Sequence, residues 1–111
     1  MSYRTVTEAE FYDRARATLL ERGGAAQCVT GPGRSGAVAA VYASHILGIP
    51  FIPYRQPVPD KLRPVLVVDT ATWTGATIRK ATRIYGRGTE FIVIYNEPPM
   101  VRFWYESRAV R

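Results

Sequence analysis

The chain has 111 residues, enough for one domain with a core of its own. A hydrophobic content of 47% argues against a disordered segment, and no apolar run is long enough to span a bilayer. The 15 Lys and Arg against 9 Asp and Glu leave a net charge of +6, which suits an anionic partner such as a phosphorylated small molecule or nucleic acid.

The basic residues are spread along the chain instead of gathered in one tail, which favours the small anion. Cys28 stands alone, which excludes a disulfide framework and a cysteine-based metal site, and it is expected as a small buried strand residue. The first residues show no signal-peptide pattern, so a cytoplasmic location is expected.

In chain order, Thr7-Glu8-Ala9-Glu10 is a capping box that opens a helix to about Arg22, with Phe11, Ala15 and Leu19 on one stripe and Gly23-Gly24 as the stop. Residues 26–30 read as a short strand. Residues 31–36, Gly-Pro-Gly-Arg-Ser-Gly, form a tight loop, and a second helix is expected from about Ser35 to Leu47, ended by Gly48. Residues 50–55 read as another strand, followed by a proline-rich connector to Pro64.

Residues 65–68 are Val-Leu-Val-Val, a strand buried on both faces that ends at Asp69. A third helix is expected from about Gly75 to Tyr85. It turns Ile78, Ala81, Ile84 and Tyr85 inward and presents Arg79, Lys80, Arg83 and Arg87 either as a solvated face or as a nucleic-acid patch. Residues 90–96 are a strongly apolar strand, Pro98-Pro99 a turn, and residues 101–106 a last strand at an edge.

This order predicts an α/β fold, a mostly parallel sheet flanked by helices. In such sheets ligands bind beyond the carboxyl ends of the strands. The loops at 31–36 and 69–77 both leave such ends, so the topology brings them to one crevice. Glycines let the backbone approach an anion at the first loop, and Arg34 adds a guanidinium able to fork onto phosphate. The alternative is an ordinary strand-to-helix turn with a solvated arginine. The second loop sets small and hydroxyl residues at the mouth of a helix, an anion cradle with an acid beside it. His45 is expected as a packed or hydrogen-bonded helix residue. No metal-ligand cluster and no Ser–His–Asp or Cys–His arrangement is present.

Val65, Leu66, Val67, Val68, Asp69, Thr74, Gly75 and Thr77 resemble, position by position, the phosphoribosyl-pyrophosphate (PRPP) motif of type I phosphoribosyltransferases. That motif is four apolar residues, an acidic pair, a short loop and Thr-Gly-x-Thr. Two positions depart from it: the second acid is Thr70, and Trp73 stands where a small residue is usual. Beside this match, residues 31–36 are similar to the family's pyrophosphate loop, and the resemblance spans about residues 25–96.

The resemblance implies a single phosphoribosyltransferase-like domain over residues 1–111 that binds PRPP with Mg²⁺. Asp69, Thr70, Ala71, Thr72, Trp73, Thr74, Gly75, Ala76 and Thr77 would hold the ribose and its 5′-phosphate. Pro32, Gly33, Arg34 and Ser35 would hold the pyrophosphate, and Asp69 would help seat the Mg²⁺ carried by it. Asp69 and Arg55, the latter at the end of the strand expected over 50–55, are the candidate catalytic residues. Arg55, Lys61 and Arg63 are the cations of a connector shorter than the family's flexible lid, and Lys61 and Arg63 also read as solvated loop charges. No base-recognising hood is evident. Phe103, Trp104 and Tyr105 either stack on a base or cover a sheet face or dimer interface.

Two functions stay open. One is a pentosyltransferase moving ribose-5-phosphate from PRPP to a nitrogenous acceptor or to water. The other is a non-catalytic PRPP or nucleotide sensor, or an RNA-binding regulator, on the same fold. A subunit that keeps the fold alone is a third. A homodimer is expected, as is common in the family.

Overall fold

The computed structural model describes residues 4–71, 76–86, 88–96 and 101–106. Its elements run β1 (Arg4–Val6), α1 (Glu8–Arg22), β2 (Cys28–Thr30), α2 (Gly33–Leu47), β3 (Val65–Ala71), α3 (Ala76–Tyr85), β4 (Glu90–Tyr95) and β5 (Val101–Phe103). Short 3-10 turns occupy Asp60–Leu62 and Trp104–Glu106.

The main sheet is parallel with strand order β2-β3-β4. Its register sets Thr30 beside Val67 and Asp69 beside Val93. β3 is central because it can afford to be: Val65, Leu66, Val67 and Val68 are all buried. Its side chains alternate between two cores. Leu66 and Val68 join Phe11, Leu19, Ala39, Ala43, Ile92 and Ile94 under α1 and α2. Val65 and Val67 join Cys28, Ala81 and Tyr85 on the α3 side. Cys28 is thus the buried strand residue expected, and burial pushes its thiol pKa up.

The capping box forms in part. Thr7 Oγ1 accepts the Glu10 N–H at 3.2 Å, but the Glu10 carboxylate turns outward to the Arg4 guanidinium at 2.8 Å. It also accepts the Tyr95 hydroxyl at 3.0 Å. Arg14 donates to the Ile94 carbonyl at 2.9 Å and lies 4.4 Å over the Tyr95 ring. Tyr95→Phe removes the buried hydroxyl and is expected to cost about 1 kcal/mol, measured by urea unfolding.

Several boundaries differ from expectation. The strand expected over 50–55 reduces to one bridge, Phe51 to Val29, with Val29 donating to Pro50 O and Ile52 to Val29 O, each at 2.9 Å. Pro50 and Pro53 have no N–H, so the ladder cannot lengthen. The strand expected from residue 26 starts at Cys28, and α2 starts at Gly33, with Pro32 as its N-cap. β3 runs past Asp69 to Ala71. β1 was not expected. It pairs in parallel with β5 as a separate two-stranded sheet, so residues 101–106 hold a three-residue strand and then a 3-10 turn.

On α3, Ala81 and Tyr85 face the core, whereas Ile78 and Ile84 flank that face and are 37% exposed. His45 is exposed in the last turn of α2. Arg63 is exposed, as expected of a loop charge, but its guanidinium also donates to the Tyr85 carbonyl at the C-terminal end of α3, where a cation is favoured. No helix among the described residues is long and apolar enough to cross a membrane.

Candidate functional site

A cleft of about 370 Å³ opens at the carboxyl ends of β2 and β3. One wall is the loop into α2, contributed by Pro32, Gly33, Arg34 and Ser35. The floor is the end of β3, Asp69, Thr70 and Ala71, and the far wall comes from Val101, Phe103 and Glu106. Residues 32–35 of the first loop meet Asp69, Thr70 and Ala71, the last residues of β3, at this cleft. Thr72, Trp73, Thr74 and Gly75 lie outside the described residues. Ala76 and Thr77 form the first turn of α3.

The α2 wall suits an anion for a backbone reason. Pro32 caps the helix without a side-chain hydrogen bond, and the first intrahelical bond is Gly36 N–H to Pro32 O at 3.0 Å. The N–H groups of Gly33, Arg34 and Ser35 therefore have no helical acceptor, and the helix dipole adds positive potential there. Gly33 adopts φ +66°, and Arg34 is exposed at the mouth.

Beneath this turn the backbone packs without space for side chains. A Cβ on Gly31 would stand 2.0 Å from the Gly36 oxygen and 2.7 Å from the Val68 oxygen. A Cβ on Gly36 would stand 2.7 Å from the Gly31 carbonyl carbon. The close contact seats the first turn of α2 directly on the end of β3.

Asp69 is half-buried at the strand tip, and its Oδ1 accepts the Thr70 N–H at 2.8 Å. Burial pushes its pKa up to about 6, with the Thr70 N–H opposing. Thr70 is buried. Arg55 does not line this cleft. It is exposed, has φ 76°, and donates its N–H to the Tyr85 hydroxyl at 2.7 Å. Burial raises the pKa of the neighbouring Tyr54, and Arg55 opposes that rise.

The aromatic tail covers the protein's own core. Phe103 is buried edge-on to Phe11 at 5.9 Å and Tyr95 at 5.4 Å, and stacks on Tyr105 at 5.7 Å. Trp104 packs on Phe11 and Tyr42. Tyr105 donates its hydroxyl to Ser35 Oγ at 3.0 Å, which ties the C-terminal turn to the α2 loop. Burial raises the Tyr105 pKa. Val101 and Glu106 were not expected at the site; the pairing of β5 with β1, which carries them there, has no pattern in a three-residue strand.

No group of three His, Cys, Asp or Glu side chains able to hold a metal occurs among the described residues. The cleft does offer two carboxylates, Asp69 and Glu106, and hard oxygen donors in that number suit a Mg²⁺ that arrives with a phosphate ligand supplying the remaining oxygens.

The parallel sheet with helices on both faces, and the cleft at its carboxyl edge, define the type I phosphoribosyltransferase fold. Among solved structures it is similar to the xanthine-guanine-hypoxanthine phosphoribosyltransferase of Helicobacter pylori, with TM-score 0.74, 12% identity, and 95% of this chain and 93% of that one covered. It is similar to a Neisseria gonorrhoeae protein with bound ppGpp, with TM-score 0.72, 13% identity and coverages of 98% and 93%. It is similar also to a purine phosphoribosyltransferase of Pyrococcus horikoshii, with TM-score 0.67, 23% identity and coverages of 100% and 98%. No family model and no curated protein matches the sequence.

Proposed function

We propose that the chain binds PRPP as its Mg²⁺ complex and transfers ribose-5-phosphate to a nitrogenous acceptor. The observation that carries this reading is the meeting of the open α2 N-terminus with Asp69 in one cleft. Gly33, Arg34 and Ser35 would hold the pyrophosphate through N–H groups and the guanidinium. Asp69 would accept a ribose hydroxyl, and Asp69 with Glu106 would face the Mg²⁺, which when bound neutralises charge on the departing pyrophosphate. The bond from ribose C1 to the pyrophosphate oxygen breaks, a bond from C1 to the acceptor nitrogen forms, and the acceptor's proton leaves to solvent. The protein's part is to position the sugar and stabilise the leaving group's charge.

A second reading is a non-catalytic nucleotide sensor. Thr70, uncharged where the family's second acid stands, favours it, and so does the likeness to the Neisseria gonorrhoeae protein with bound ppGpp. Calorimetry separates the two. The transferase reading expects PRPP to bind with Mg²⁺ at micromolar Kd, about −8 kcal/mol, and AMP and phosphate to bind far more weakly. Tighter binding of AMP or ppGpp than of PRPP would favour the sensor, and no binding of any of them would remove both readings.

A further inference from the structure

We propose that Glu106, from the C-terminal turn, is the second acid of the site, supplying from across the cleft the charge that Thr70 does not. The inference rests on the diphosphate-binding reading above. Thr70 follows Asp69 in sequence but is buried and uncharged, so the strand tip offers one carboxylate. Glu106 lines the same cleft as Asp69 and the α2 loop.

Its position is fixed. Glu106 Oε1 accepts the Phe103 N–H at 3.0 Å. Phe103 is anchored in the core and stacked at 5.7 Å on Tyr105, whose hydroxyl bonds Ser35 at 3.0 Å. The exposed carboxylate therefore sits on a turn held through Phe103 and Tyr105, which is the preorganisation a charge in a binding site needs.

The consequence is electrostatic. Among the described lining residues, two carboxylates, Asp69 and Glu106, stand against one guanidinium, Arg34. The α2 N-terminus attracts any anion, but a bare polyanion also meets the two carboxylates, while an anion carrying a divalent cation meets them as oxygen ligands. Glu106 makes the cleft select the cation complex over the free diphosphate.

The test is calorimetry of inorganic pyrophosphate, with Mg²⁺ and with EDTA, on the full chain and on Glu106→Gln. Glutamine keeps an oxygen to accept the Phe103 N–H, and a matched melting temperature checks the fold. The expected result has opposite signs: affinity for Mg²⁺-pyrophosphate falls on the order of tenfold, while affinity for free pyrophosphate rises. Equal loss of both, or no change in either, would overturn the role of Glu106 and leave the diphosphate reading standing. Failure of the unaltered protein to bind either form would overturn that reading, and this inference with it.

Discussion

Asp69→Asn is expected to raise the melting temperature by about 5 °C and to abolish PRPP binding. The two effects share one cause. Burial lifts the Asp69 carboxyl from its ordinary 3.8 to about 6, so at neutral pH the folded protein holds a charge that the unfolded chain solvates better. Below about pH 4 both states carry the proton and the penalty vanishes. As pH rises from about 4 to about 6, the folded state keeps the proton and the unfolded state does not, so stability falls. Above about 6 the whole penalty remains. Because the strand tip is half-exposed, solvent screening reduces that penalty to about 1–2 kcal/mol. Asparagine keeps an oxygen for the Thr70 N–H and carries no charge, so the stability gain should appear only above about pH 5. Melting curves at pH 4 and pH 7.5 check this. A variant no more stable than the parent at pH 7.5 would show that the charge costs nothing in the fold.

A half-buried charge near the end of a strand suits the proposed binding site and not a core, and it bears on what the sequence disclosed. β3 was legible because four consecutive apolar residues, three of them β-branched and preceded by Pro64, favour a strand covered on both faces, and helices on both faces do cover it. α1 was legible from Thr7 and the Phe11, Ala15, Leu19 stripe, all three of which are buried. The meeting of residues 32–35 with Asp69 followed from topology alone.

The rest depended on contacts that no local pattern encodes. β1 and β5 have three residues each, too few to show a period, and only their pairing brings Val101 and Glu106 to the cleft. The strand expected over 50–55 failed because the strand-forming Phe51, Ile52 and Tyr54 are outweighed by two missing N–H groups, at Pro50 and Pro53. Nothing local to the connector reveals the Tyr85 carbonyl that the exposed Arg63 reaches. Ile78 and Ile84 sit at the margins of the α3 stripe, where a helical period cannot tell flank from core.

Gly31→Ala is expected to cost about 3 kcal/mol or more and to weaken phosphate binding in whatever fraction stays folded. The added methyl would lie 2.0 Å from the Gly36 oxygen, 2.5 Å from its carbonyl carbon and 2.7 Å from the Val68 oxygen. All three are backbone atoms at the junction of α2 with β3, so no rotamer change relieves the overlap. Only lifting the first turn of α2 off the sheet does, and that turn carries the N–H groups aimed at the cleft. Gly33→Ala is the contrasting variant. Nothing lies within 4 Å of its Cβ position, and the cost there is the left-handed φ of +66° alone, about 1 kcal/mol. Urea unfolding of the two variants should therefore separate a packing requirement from a conformational one. Equal and small losses would mean that α2 is free to move away from β3, and that the geometry of the proposed anion site does not depend on their contact.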